Sequence, residues 1–347
     1  MKNRKREICT SGSVRDEDGQ PPHLLGRRNF LHLAAGAAAL PVVPRFAWAQ
    51  AYPSRPVRVI VGYGPGGAGD ISMRLLGQWL SERFGQQFIV ENRTGAGTNI
   101  ATESVVRAAP DGYTLLMSSA ANAINATLYD RLNFNFIRDT TPISGILRTP
   151  HVIVVHPSFS AKTLPEFIAY AKANPGKLTW ASPGVGTAGH VCGELFKMMA
   201  GLNMVHVPYR GGGTAMADLL SGQLQVYIGA ITSSLEYVKA SRLRALAVST
   251  ATRSEALPEV ARVSDFVPGF ETSDWGGVSA PKSTPSDLVD KLNKEINTAL
   301  ADPKFKARLA DLGAAPFPGS PAQFGTFIAD ETEKWGKVVR AANIKAD

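Results

Sequence analysis

The sequence predicts an α/β protein of two lobes, each a mainly parallel sheet flanked by helices, joined by a double hinge. Short apolar strand-like runs alternate with helical runs through nearly the whole chain, as parallel strands covered by helices require. Removing an N-terminal export segment leaves about 298 residues, enough for two cores. Two stretches rich in Pro, Gly and polar residues, "LRTPHVIVVHPS" (147–158) and "VPGFETSDWGG" (267–277), interrupt the alternation. They mark where the chain passes from one lobe to the other and back, giving lobes of 51–150 with 272–347, and of 151–271. The cleft between two lobes hinged in this way suits a ligand.

The first element is carried by "VRVIVGYGPGGAGDISMRLLGQWLSERFG" (57–85). A strand from Val57 to Val61 runs into a glycine turn. An amphipathic helix follows with Ile71, Leu75, Trp79 and Leu80 on one face. Further strands are expected at Gln87 to Glu91, Thr114 to Ser118, Ile143 to Leu147, His151 to His156 and Leu178 to Ser182. Others follow at Asn203 to Pro208, Gln225 to Ile228 and Arg244 to Ser249. One helix starts at a Thr163/Glu166 capping box with Pro165 in its first turn, and Pro175-Gly176 stops it. The C-terminus turns to helix over Pro285 to Ala301, Pro303 to Leu312 and Pro321 to Ala342.

"GRRNFLHLAAGAAALPVVPRFAWAQA" has a basic start, an apolar run from Phe30 to Val43, and small residues at Ala47 and Ala49. The run is too short to span a bilayer, so residues 1–49 read as a signal cut after Ala49. Arg27-Arg28-Asn29-Phe30-Leu31 resembles a twin-arginine signal; an ordinary secretory signal with adjacent arginines is the other reading. Without this segment the formal charge falls from +8 to about +4, which is no nucleic-acid signature. Of two cysteines, Cys9 leaves with the segment, so Cys192 has no intrachain partner.

Catalytic and metal-binding motifs are missing: no H-E-x-x-H, C-x-x-C, G-x-S-x-G or Walker loop occurs. Ser182 and His190 read as capping and packing residues before they read as nucleophile and base. His206 reads as a strand residue and Cys192 as a small packing residue. Gly62, Gly64 and Gly67 fit the G-x-G-x-x-G spacing, and Glu91 falls where an acid would meet the ribose of NAD. Asp70 opposes that reading, because a carboxylate at the helix start repels pyrophosphate; it is expected to cap its own helix. Glycine-rich turns recur at four strand-to-helix junctions: Gly64 to Asp70, 92–99, 182–190 and 209–219. Each exposes backbone N–H groups at a helix start, which can hold a carboxylate without a lysine.

The segments "GPGGAGDISMR", "GQQFIVENRTGAGTNIATESVVRAAPDGYTLL", "SPGVGTAGH", "VPYRGGGTAMADLLSGQ", "LRALAVST" and "APKSTPSDLVDKLNKEI" resemble the Bug family over essentially all of 51–347. Members of that family are extracytoplasmic receptors of tripartite tricarboxylate transporters. The resemblance implies a type II periplasmic-binding-protein fold closing over an anionic organic acid, with no cofactor, metal or catalytic residue. Its implied partners are a small organic acid, membrane permease subunits and, for export, a translocase, with no nucleic acid. Relatives usually carry Pro where this chain has Gly62, which weakens the dinucleotide spacing.

On this reading one ligand carboxylate lies between the Gly66-Gly67 turn, with Asp70, and the turn from Ser182 through Gly184 and Gly186 to Thr187 and His190. Tyr63 forms an apolar wall, and Asn122 and Ala123 face the cleft from the first lobe. Tyr209, Arg210, Gly211, Gly229 and Ala230 shape the other side; Arg210 either bridges a second carboxylate or pairs structurally with Asp218. Relatives commonly carry Asp near Gly229, where it could hold an ammonium group. Its absence argues against amino-acid ligands and for a carboxylate with an apolar or aromatic body. An exported NAD(P)-dependent oxidoreductase and a ligand-binding sensory adaptor are the other functional classes the sequence allows.

Overall fold

The computed structural model describes residues 52–209 and 211–346. The segment 1–49, expected to direct export, and Arg210 lie outside the described residues. Ten strands form one mixed sheet: β1 (Val57–Val61), β2 (Phe88–Asn92), β3 (Thr114–Ser119), β4 (Thr140–Val155), β5 (Thr179–Ser182), β6 (Val205–Pro208), β7 (Val226–Ala230), β8 (Arg244–Val248), β9 (Ser273–Pro281) and β10 (Ala315–Pro316). Their order is β2-β1-β3-β9-β4-β7-β5-β6, with β8 and β10 also paired to β4. β1 is parallel to β2 and β3, and β5 is parallel to β6 and β7. Antiparallel β9 and β4 join these two parallel sets.

The helices are α1 (Ala68–Phe84), α2 (Asn99–Val106), α3 (Ala120–Leu128), α4 (Phe136–Asp139), α5 (Leu164–Ala173), α6 (Ala188–Ala200), α7 (Gly212–Leu220), α8 (Leu235–Lys239), α9 (Ser286–Ala301), α10 (Pro303–Asp311) and α11 (Pro321–Ala341). Strand alternation divides the core. Val57, Val59 and Val61 pack with residues of α1, α9 and α10, whereas Ile60 packs with α2, α3 and α11. β5 and β7 are likewise covered by α5 and α6 on one face and by α7 and α8 on the other.

Three expectations need correction. The buried face of α1 is Met73, Leu76, Gly77 and Leu80; Ile71, Leu75 and Trp79 are only partly covered. The helix turns Gly77 onto β2, where a Cβ would lie 3.0 Å from the Phe88 carbonyl oxygen. The strands expected at 143–147 and 151–156 are one 16-residue strand, β4. The stretch read as an interruption at 267–277 contains the start of β9. Pro150 is tolerated because it sits where β4 changes partners: Pro150 pairs with Ser273 of β9, and His151 with Ala230 of β7. Position 277 of β9 takes glycine because a Cβ there would lie 2.2 Å from the Phe324 ring.

Candidate functional site

The parallel strands β1, β2, β3, β5 and β7 all end at one cavity of about 260 Å³. The carboxyl ends of strands in open α/β sheets are where ligands bind. Gly62 and Tyr63 follow β1; Gly95, Gly97 and Thr98 follow β2; the Pro183–Gly189 segment follows β5; Ala230 ends β7. His151 and Asp274 enter from the crossing strands β4 and β9. An adjoining recess of about 180 Å³ shares Tyr63, Ala230 and Asp274 and adds the start of α1, Ser119, Thr149 and Trp275. Among the described residues, no lysine or arginine lines either space.

The α6 turn is built from backbone outward. Gly184 (φ 142) and Gly186 (φ 71) take conformations that L side chains rarely adopt. A Cβ on Gly186 would also lie 2.2 Å from Leu128 Cδ2. Thr187 is the N-cap: its Oγ1 accepts from the His190 N–H (3.3 Å) and donates to the Gly184 carbonyl (2.7 Å). The Gly186 N–H donates to His190 Nδ1 at 3.1 Å. Ser182 Oγ bonds His206 Nε2 at 2.7 Å, and His206 stacks on His190 with ring centroids 3.9 Å apart. Burial, with smaller contributions from His206 and Lys197, pushes His190 down to about 3. It is therefore a neutral acceptor at the helix start. The N–H groups of Ala188 and Gly189 have no partner among the described residues, so this helix end can receive an anion.

The α1 turn sets a buried carboxylate at its start, while the N–H groups of Ala68 and Gly69 have no partner among the described residues. Asp70 is not the N-cap residue expected; Gly67 holds that position and Asp70 sits in the first turn. Its buried carboxylate accepts from the Gly66 N–H (2.9 Å), from Arg74 (3.0 Å) and from Asn92 (2.8 Å). Burial pushes this carboxyl upward, but those hydrogen bonds outweigh it and hold the group below the ordinary carboxylate range. Glu91, the expected ribose acid, is engaged by Arg58 (2.8 Å) and Arg93 (3.4 Å).

Of the residues singled out from sequence, Tyr63, Gly186, Thr187 and Ala230 line the larger cavity, and Gly67 and Asp70 the smaller. Gly66, Ser182, Gly184 and His190 shape the turns from behind. Asn122 and Ala123 are core residues: Asn122 bonds Thr102 (2.7 Å) and the Ser119 N–H (2.8 Å), and Ala123 is fully buried. Their helix instead presents Ala121, Asn125, Leu128 and Tyr129 at i, i+4, i+7, i+8 spacing to the cavity. Tyr209 donates to Asp218 (2.7 Å), the partner expected for Arg210, and Gly211 begins α7. Gly229 lines neither space, and a Cβ there would lie 2.2 Å from the Tyr227 hydroxyl.

Thr149, His151 and Asp274 carried no sequence signal as site residues. Asp274 accepts from the Trp275 N–H (2.9 Å), and burial, opposed by that bond and reinforced by Glu331, pushes its carboxyl up to about 6. His151 is fully buried and pushed down to about 3, first by burial and then by Lys334.

Two sets of parallel strands ending at one cleft, bridged by a pair of antiparallel crossing strands, define a solute-binding receptor of the periplasmic-binding-protein class. The family model described as "Tripartite tricarboxylate transporter family receptor" matches residues 72–344. BugT of Bordetella pertussis is 35% identical over 318 residues, covering 91% of this chain and 96% of that protein. Among solved structures, Rhodopseudomonas palustris Rpa4515 with adipate is 33% identical, with a TM-score of 0.78, covering 85% of this chain and 99% of that one. MatC from the same organism, with bound malate, is 28% identical with a TM-score of 0.73 over 83% and 100% of the two chains. The chain belongs to the tripartite tricarboxylate transporter receptor family, the family that its sequence resembles.

Proposed function

We propose that this receptor captures a small organic carboxylate between two lobes, 51–150 with 272–347 and 151–271, and delivers it to the permease subunits of a tripartite transporter. The observation that carries the reading is the α6 start. Unpartnered Ala188 and Gly189 N–H groups open on a cavity with no lysine or arginine among its described lining residues. A helix start with free donors holds a carboxylate through its partial positive charge and charge-assisted bonds. Tyr63, Thr98, Asn125 and Thr187 complete the wall. The adipate and malate held by the two palustris relatives support this ligand class. Export through residues 1–49, cut after Ala49 by a twin-arginine route, would place the receptor in the periplasm. Family membership supports a binding role without catalysis.

The test is native mass spectrometry on protein recovered from the periplasm without refolding, followed by calorimetry with adipate and malate. A carboxylate held at about one per chain, with micromolar binding worth about −8 kcal/mol, is the expected result. A nicotinamide dinucleotide at that stoichiometry, with no response to carboxylates, would overturn it.

A further inference from the structure

We propose that Thr149, His151 and Asp274 form an amine-accepting subsite, so that the carboxylate this receptor selects carries a protonated amino group. This deepens the carboxylate-receptor reading above and rests on it.

The three residues arrive from two strands. Thr149 pairs with Asp274 across β4 and β9, and His151 lies two residues further along β4, opposite Ala230. Asp274 lines both spaces, Thr149 the smaller and His151 the larger. Thr149 Oγ1 and His151 Nε2 are buried without a hydrogen-bond partner among the described residues. Burying such atoms unpaired is costly, so a native site that leaves two of them at a cavity wall is built to receive a partner.

The chemistry of that partner follows from the protons. Thr272 Oγ1 donates to Cys192 Sγ (3.2 Å) and lies 3.1 Å from His151 Nδ1. The subsite uses the tautomer in which Nδ1–H donates to Thr272 Oγ1, which leaves Nε2 as an acceptor. Asp274 uses the Trp275 N–H and no other described donor. An acceptor nitrogen, a carboxylate and a hydroxyl together favour a cationic donor and repel a second anion. A plain dicarboxylate would set its far carboxylate against Asp274. An ammonium group neutralises Asp274, the one of the three that lines both spaces. The acid missing at Gly229 is thus supplied from β9, which reverses the expectation against amino-acid ligands.

The subsite has its own pH signature. His151 on β4, Tyr227 on β7, Tyr63 ahead of α1, and Glu331 with its Lys334 partner on α11 are the titratable groups around Asp274. With its carboxyl pushed up to about 6, Asp274 is charged at pH 8 and mostly protonated at pH 5.

Matched ligand pairs test the proposal: adipate against L-2-aminoadipate and succinate against L-aspartate, by calorimetry on the mature protein at pH 8 and pH 5. At pH 8 the amino-bearing member of at least one pair should bind about tenfold tighter, the scale of one charged hydrogen bond, and the preference should shrink at pH 5. Asp274→Asn should abolish the preference, read as the ratio of the two affinities within each pair. Unliganded melting checks that the variant folds, and the wild-type pH comparison stands without it. Binding of the plain acids with no amine preference, or with a preference for them, overturns this proposal and leaves the carboxylate reading intact. Failure of all four compounds to bind removes both.

Discussion

The turns before α1 and α6 follow the same plan, strand to glycine turn to helix, and differ in what satisfies the helix start. At α1 a buried carboxylate, Asp70, is drawn back onto the Gly66 N–H and locked by Arg74 and Asn92. At α6 the corresponding acceptors are a threonine hydroxyl and a neutral histidine nitrogen. Both helix starts keep first-turn N–H groups without a partner among the described residues; at the first an ion-paired carboxylate stands beside them, and at the second a hydroxyl and a neutral imidazole do. The contrast teaches that two helix starts with the same free donors can differ in the charge their own side chains set beside those donors.

Substituting the same residue in both turns breaks the comparison most sharply. Gly186→Ala places a methyl group against Leu128, which lines the cavity, and should weaken carboxylate binding about 100-fold, or about 2.7 kcal/mol. Gly66→Ala meets open space, so its left-handed φ should cost about 1–2 kcal/mol of stability and leave binding nearly intact. Calorimetry and urea unfolding on the pair separate the two effects; equal binding losses would show that the turns are equivalent.

Acid distinguishes the turns next. His190 and His151 have folded pKa values depressed from 6.5 to about 3, so the unfolded chain binds their protons first as pH falls. Stability present above pH 6.5 should therefore be lost below it, about 2 kcal/mol for each of these two at pH 5. Asp274 acts in the opposite sense: its folded pKa is raised to about 6, so stability present below 3.8 is lost as pH rises through 6. Asp70, depressed, withdraws support only as pH falls below the ordinary carboxylate range. His190→Gln should remove about 2 kcal/mol of the loss between pH 6.5 and 5 and leave the share of His151 and His206; Asp70→Asn should leave that slope unchanged. A wild-type stability independent of pH across this window would contradict the neutral-histidine account.

Asp70→Asn should itself cost about 2 kcal/mol at pH 7, because Arg74 and the Gly66 N–H lose a charged acceptor. Removing that charge should also improve carboxylate affinity slightly, and a clear loss of affinity would place the ligand at α1 instead. The smallest effect is Thr187→Val, which removes the α6 cap at about 1 kcal/mol of stability. Thermal melting resolves it.

The turns themselves were legible because glycine spacing and helix-starting residues are local signals: β1, β3 and the helices beginning at Pro303 and Pro321 needed nothing from elsewhere in the chain. β9 was not legible. Its Ser, Asp and glycine content reads as loop, and only its pairing with β3 on one side and β4 on the other makes it a strand. The phase of α3 was lost for a similar reason, since naming the residues after β3 does not say which side of the helix meets the cavity. Thr149 and Asp274 lie 125 positions apart and become neighbours only through β4–β9 pairing, so no pattern along the chain could unite them.

One consequence of β4 is mechanical. The β5–β7 set pairs directly on this 16-residue strand and the β1–β3 set reaches it through β9; its register shifts between Pro142 and Ser144 and again between Gly145 and Leu147. A slack tether would let its two ends turn freely. A hydrogen-bonded ribbon behaves as a torsion spring: it has a rest angle, and rotating one end against the other stores elastic energy that returns on release. The irregular steps in its first half are where such a ribbon is softest.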